Sequence, residues 1–376
     1  DVTMAPRRVN IIIGEPNVGK SNILEAMSLL GGMQYDKKRR FMDGIVRFKS
    51  ADQLFFDNII ANIIQIETDK AFCFLTPSLN DTVDWFEAVM LPRQTFEKLV
   101  NPDKKIPDFH KLISSNDVWF RLYEAAYKKQ KWEDFRKKLI ELGGIHVNFK
   151  KTGLRLEGEV LRKKLNKKNL STVIARPYFF AKNQLVGEEY NRKYLEPPHG
   201  ENLKTVIQAH TSLRKEIAKL FSRSGLRLSL RMETKQLEVI KDLDGIVYTY
   251  PYSSIADTLQ RLIFYLAAIE SNDDAVLLFE EPEAHSYPVY VSHLAQRIVE
   301  SRNNQFFVVT HSPYFITEVL EEMLTSDELK PELAIFVAYY EEYQTKVRQL
   351  SDEEVYNIRR DGLDVFYNMA RFVPQR

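Results

Sequence analysis

Two kinds of apolar pattern alternate along this chain. Short continuous apolar runs occur at 9–13, 275–279 and 305–310, and a further one at 333–339. Apolar positions at helical spacing follow or precede them, at 22–30, 255–270 and 287–301. Runs of this length read as strands buried on both faces, and the spaced segments as helices with one apolar face. Strands that alternate with helices predict a layered α/β core. A short loop at 197–203 leads into a helix running to 221, and a short helical tail closes the chain.

Other stretches alternate with a period of two. Residues 58–66 and 71–75 predict a β-hairpin around Thr68-Asp69-Lys70, and 145–149 with 154–160 predict a second. Strands are expected at 226–232, 237–241 and 246–250, with Leu243-Asp244-Gly245 as a turn. Residues 84–142 read as helical, interrupted by Pro102 and Pro107, with Trp119, Tyr123, Tyr127 and Trp132 forming a packing stripe. These patterns divide the chain into 1–83, an insert at 84–170, and 171–376. No internal repeat is present.

Composition narrows the class. The 376 residues suffice for one large or two ordinary domains, and a net charge of +1 selects no partner. The one cysteine, Cys73, excludes an intrachain disulfide and fits a reducing compartment, so a cytoplasmic location is expected. No apolar run approaches the ~20 residues that span a bilayer, so no membrane association is expected. The chain opens at Asp1, about one strand ahead of its first motif, as though a preceding strand were missing. One region is strongly asymmetric: residues 128–168 hold fourteen Lys/Arg against five Asp/Glu. A solvated helix face and a nucleic-acid backbone contact both account for it.

The chemistry begins at Gly14-Glu15-Pro16-Asn17-Val18-Gly19-Lys20-Ser21, directly after the first apolar run and directly before a helix that opens with Asn22. This is a phosphate-binding loop in its required setting. Its backbone N–H groups would close around a phosphate at a helix N-terminus. Lys20 would bridge the β- and γ-phosphates, and Ser21 would ligate Mg²⁺.

The run at 276–279 ends in Glu280-Glu281, where the strands of α/β sheets bind ligands. Glu280 is the candidate Mg²⁺ carboxylate, and Glu281 the base that polarises an attacking water. Pro282-Glu283-Ala284-His285 follows. The next buried run ends in Thr310-His311-Ser312-Pro313, which places His311 to reach the γ-phosphate or its water.

Together, E-E-P-E-x-H and the later V-T-H-S-P resemble the ABC-type ATPases of the SMC, RecF and OLD group, often called AAA family ATPases. The resemblance covers roughly 1–60 and 195–365. It implies an α/β ABC-ATPase head: a P-loop NTPase core with an antiparallel β subdomain, here with a largely helical insert. Glu280 replaces the family's more usual Asp. The family also implies ATP with Mg²⁺, sandwiched between two heads, hence a homodimer or higher homo-oligomer. The second head would offer a signature serine; Ser253 or Ser254, ahead of the helix at 255–270, is the candidate, also readable as a plain helix N-cap. Gln53 is the candidate γ-phosphate-sensing, metal-proximal glutamine. The interval between motifs lacks a long heptad pattern, and too few residues follow His311 for an appended nuclease domain. The chain thus looks like a stand-alone ATPase subunit of the phage-defence kind (PARIS, Septu, retron-associated), acting on a separate nuclease or toxin. A DNA-binding clamp like RecF and a nucleotide-bound scaffold without turnover are the alternatives.

Overall fold

A computed structural model describes residues 2–34, 40–60, 63–77, 85–94, 144–154, 175–182, 193–231 and 236–374. In chain order the strands are β1 (Val9–Gly14), β2 (Ile64–Glu67), β3 (Ala71–Pro77), β4 (Trp85–Pro92), β5 (Ile145–Lys150), β6 (Ala175–Tyr178), β7 (Leu226–Arg231), β8 (Gln236–Leu243), β9 (Ile246–Pro251), β10 (Val276–Glu280), β11 (Gln305–Val309), β12 (Leu333–Glu341) and β13 (Gln344–Gln349). The helices are α1 (Lys20–Ser28), α2 (Leu203–Ala209), α3 (Thr211–Ser222), α4 (Asp257–Ser271), α5 (Pro288–Glu300), α6 (Pro313–Leu324) and α7 (Asp352–Arg360). The chain forms two compact units, one from 1–24 with 176–376 and one from 25–175.

The first unit is built on a six-stranded sheet in the order β13-β12-β1-β11-β10-β6. β1 runs parallel to β11 and β12, and β10 runs parallel to β11. β13 closes one edge antiparallel to β12. Its central strands are the continuous apolar runs, with Ile11, Ile13, Leu277, Phe279, Phe306 and Val308 all fully buried. Burial on both faces removes the need for a polar alternation, which explains why these strands read as unbroken runs. Asn10 is the polar exception; its amide donates to the Phe306 and Arg7 carbonyls. Pro288 and Pro313 stand in the first turns of α5 and α6, where a missing N–H costs nothing. The Ser312 hydroxyl caps α6 by accepting the Phe315 N–H at 3.1 Å. Within the same unit β7, β8 and β9 form a separate antiparallel sheet.

The second unit carries a four-stranded antiparallel sheet, β2-β3-β4-β5. The first predicted hairpin is present as β2 and β3. One expectation is corrected here. Residues 85–92, expected to be helical, form β4; Glu87, Ala88, Met90 and Leu91 favour helix, and pairing with β3 and β5 overrides that preference. Of the second predicted hairpin, 145–149 lie in β5, which pairs with β4, and Leu154 makes an isolated bridge to Arg40; 155–160 lie outside the described residues. Phe41 stacks on Phe149 at 4.0 Å between ring centroids and ties the segment around Arg40 to β5. Residues 95–143 and 155–174, which hold the aromatic stripe and most of the basic stretch, lie outside the described residues. The units divide the chain after Leu24 and Ala175, whereas the sequence pattern divides it after 83 and 170. Among the described residues no helix is long and apolar enough to cross a membrane.

Candidate nucleotide site

β1, β11 and β10 are neighbours in the parallel sheet, so the segments leaving their C-terminal ends emerge side by side. These segments are the loop from Gly14 to Ser21, the turn at Thr310 and His311, and Glu280-Glu281. Residues far apart in sequence thus meet at one end of one sheet.

The loop is tightly built. Gly19 has φ +90, and a Cβ there would stand 2.2 Å from Thr345 Oγ1. A Cβ on Gly14 would meet the Ala338 carbonyl oxygen at 2.3 Å. Both positions exclude any side chain. Lys20 is 5% exposed, and its ammonium donates to the carbonyls of Gly14 at 2.9 Å and Glu15 at 2.6 Å. Burial lowers its pKa, while the charges of Glu281 and Glu15 oppose that shift. No carboxylate forms an ion pair with Lys20 among the described residues. A buried cation held only by backbone carbonyls, at the start of α1, fits an anionic phosphate. Glu15, Pro16 and Asn17 form the exposed arc of the loop, with Val18 buried beneath; Ser21 is half-buried and Asn22 exposed.

Glu280 ends β10 and Glu281 begins the turn after it. Glu281 has φ 43, an uncommon conformation for a side-chain-bearing residue. Its N–H donates to the Val309 carbonyl at 2.8 Å, and its carbonyl accepts from Arg261 at 3.4 Å. These bonds hold the backbone while the carboxylate stays half-exposed. His311 Nε2 lies 3.6 Å from Glu281 Oε1. Burial holds the His311 imidazole below its ordinary pKa, the Lys20 charge adds to this, and Glu281 opposes it.

Three contributors were not legible as such in the sequence. Glu283 is buried, and its Oε1 accepts from the Thr310 hydroxyl and, at 3.3 Å, from the His311 N–H. Burial raises its pKa. Phe366 lies 6.0 Å from the His311 ring, nearly parallel to it. Thr345, which packs on Gly19, belongs to β13, a strand read as part of a helical tail. The turn before it, Glu342-Tyr343, has positive φ at both residues without the Gly or Asn that would mark it.

Of the remaining candidates, Ser253 and Ser254 are exposed in a single 3-10 turn, Tyr252–Ser254, in the same unit. The cap position of α4 is Ala256, so the plain N-cap reading is corrected for both serines. The buried Gln260 amide ties this turn to α4 by donating to the Ile255 carbonyl at 2.8 Å. Gln53 lies in the second unit, in the 3-10 turn Ala51–Leu54, where its Oε1 accepts the Lys49 N–H at 2.9 Å. Among the described residues no group of three or more His, Cys, Asp or Glu side chains could hold a metal by itself. A metal here would be shared between Ser21, Glu280 and the oxygens of a bound nucleotide.

Residues 9–317 match the family described as "AAA domain, putative AbiEii toxin, Type IV TA system". The chain belongs to this AAA family. Solved structures of similar path are SMC heads. One, an SMC head bound to the C-winged helix domain of ScpA, is 14% identical over 94% of this chain and 92% of that one, with a TM-score of 0.44. An SMC head with an extended coiled coil from Pyrococcus furiosus is 14% identical, covering 94% and 93%, with a TM-score of 0.39. The SMC head domain from Thermotoga maritima is 13% identical, covering 92% and 90%, at 0.33. No curated protein matched. In this AAA protein the phosphate loop, Glu280, Glu281, Glu283 and His311 all fall within the matched residues, while Thr345 and Phe366 lie beyond them.

Proposed function

We propose that the protein binds and hydrolyses ATP with Mg²⁺ as an ABC-type head, and that the nucleotide gates association of two such heads. The observation that carries this reading is the placement of Lys20, Glu281 and His311 at the ends of three adjacent strands. Bound ATP·Mg²⁺ would supply the phosphoanhydride and neutralise its developing charge. Lys20 would exchange its two carbonyl acceptors for phosphate oxygens. Ser21 and Glu280 would hold the metal. Glu281 would accept the proton of the attacking water, and neutral His311 would donate to the γ-phosphate from beside it. Gln53 is proposed to sense the γ-phosphate.

Ser253 and Ser254 are proposed to complete the partner head's site. Their exposure, on a turn fixed by Gln260, supports a role outside their own chain. The output would pass to a separate nuclease or toxin in a cytoplasmic anti-phage complex. The family's description as a putative toxin of a toxin–antitoxin system supports a part in a system of that kind. Phosphate release assayed alongside oligomeric state, with and without ATP, tests the reading. Turnover lost in Glu281→Gln together with an ATP-dependent dimer is the expected result. ATP-independent size and normal turnover in that variant would overturn it.

A further inference from the structure

β9 is the outer strand of the β7-β8-β9 sheet, and every one of its residues is exposed. Its sequence, Ile246-Val247-Tyr248-Thr249-Tyr250-Pro251, carries no charge. Ile246 is 58% exposed, Val247 53%, Tyr248 43% and Tyr250 44%. Natural edge strands are usually blunted by lysine, bulges or a covering segment. Among the described residues nothing pairs with the outer side of this one.

The sheet is amphipathic. Pairing places Leu228, Val239 and Tyr250 on one face, with Leu226, Lys241 and Tyr248 beside them. Val239 is buried in the core, and Leu226, Leu228 and Leu237 pack against that core. The same face continues past the core edge as Ile246, Tyr248 and Tyr250, where it meets solvent.

Backbone geometry fixes which groups are open. Asp244 and Gly245 both have positive φ, 53 and 77, and form a two-residue hairpin turn. The flanking pair, Leu243 and Ile246, is then hydrogen-bonded, and bonding alternates along the ladder. Ile246, Tyr248 and Tyr250 therefore direct their backbone groups to β8. Val247 and Thr249 direct theirs to the open edge. Pro251 has the same outward parity but no N–H, so the run of donors ends at Thr249.

We infer that β9 pairs antiparallel with β9 of a second copy of this chain, about a two-fold axis through Tyr248. In that register Val247 faces Thr249 of the second copy, and Thr249 faces its Val247. The N–H and C=O groups of both residues in both chains all find partners. Tyr248 opposes itself in a non-hydrogen-bonded pair, where side chains approach most closely, and Ile246 opposes Tyr250. The apolar strips of two copies join into one, and a neutral strand brings no like charges together across the axis. A single strand pair buries far less than the ~1,200 Å² of a stable stand-alone interface. The contact is therefore weak by itself, a transient pairing that a covalent trap captures. It does not depend on nucleotide, and it makes assemblies larger than the nucleotide-gated pair.

The test is cysteine cross-linking of the full chain carrying Tyr248→Cys, under mild oxidation, read on non-reducing gels. Cys73 is buried, so the wild type is a silent background. A disulfide dimer is expected with and without ATP, and equally with Lys20→Ala added, which separates this result from failure of the nucleotide switch. Leu243→Cys, exposed on the neighbouring strand away from the axis, should not cross-link. Adding Thr249→Pro to Tyr248→Cys removes an outward N–H from each copy and should lower the cross-linked fraction about tenfold, with an unchanged thermal melt. No dimer from folded Tyr248→Cys would overturn the proposal. So would equal cross-linking at 243 and 248, or indifference to Thr249→Pro.

Discussion

Glu283 accepts the hydroxyl hydrogen of Thr310, and so joins the turn after β10 to the turn after β11. The same carboxylate accepts the His311 N–H. One buried side chain thereby sets the spacing between the proposed base, Glu281, and the histidine facing it. Glu283→Ala leaves the Thr310 hydroxyl without its acceptor and is expected to cost about 1–3 kcal/mol of stability. It should lower turnover while ATP binding holds. Glu283→Gln keeps an acceptor and should retain most of both. Chemical denaturation and phosphate release read the two effects separately, and equal turnover in all three proteins would exclude the positioning role.

The Glu283 carboxyl has a second, pH-dependent consequence. Its folded-state pKa is raised above 4.5 by burial. The folded protein therefore holds this proton more tightly than the unfolded chain does. The associated stability is complete below about pH 4.5 and is lost as pH rises through the folded pKa. Wild-type stability relative to Glu283→Gln should improve on acidification; a difference that is flat from pH 7 to 4 would contradict the burial argument.

His311 should titrate below the ordinary imidazole value of 6.5 in the nucleotide-free protein. It is then neutral at pH 7, and its stability penalty appears as pH falls through 6.5 toward the folded value. Lys20→Ala removes a neighbouring cation and should move the midpoint up. Glu281→Gln removes the opposing anion and should move it down. Imidazole NMR resonances followed against pH give all three midpoints.

Lys20→Ala should weaken ATP binding about 10²-fold or more, because a charge-assisted contact to phosphate is lost. Calorimetry reads this directly, and ordinary affinity would remove the loop from the nucleotide site.

Glu281→Gln should keep ATP affinity and lower turnover about 10²- to 10⁴-fold, since the amide cannot accept the water's proton. Light scattering should then find the nucleotide-bound dimer accumulating. Normal turnover with a monomer in ATP would remove both the base role and the head-to-head reading.

The sequence by itself determined the local chemistry and most of the parallel core. A phosphate loop has a fixed spacing because glycines must stand where a Cβ collides, as Gly19 does with Thr345. Strands buried on both faces must be continuously apolar, so β1, β10, β11 and β12 were legible as runs. β4 was not, because Glu87, Ala88, Met90 and Leu91 favour helix and only pairing with β3 and β5 makes the segment a strand. β13 was missed because its turn is made by Glu342 and Tyr343, residues with no turn preference to read. Tertiary structure alone decided which residues meet. The adjacency of β1, β11 and β10 brings Lys20, His311 and Glu281 to one end of the sheet. Glu283 and Phe366 gained their roles in the same way, through packing between segments far apart in the chain. The open edge of β9 also became visible only there: an alternating strand reads the same whether or not another strand covers it, and sheet order alone distinguishes the two.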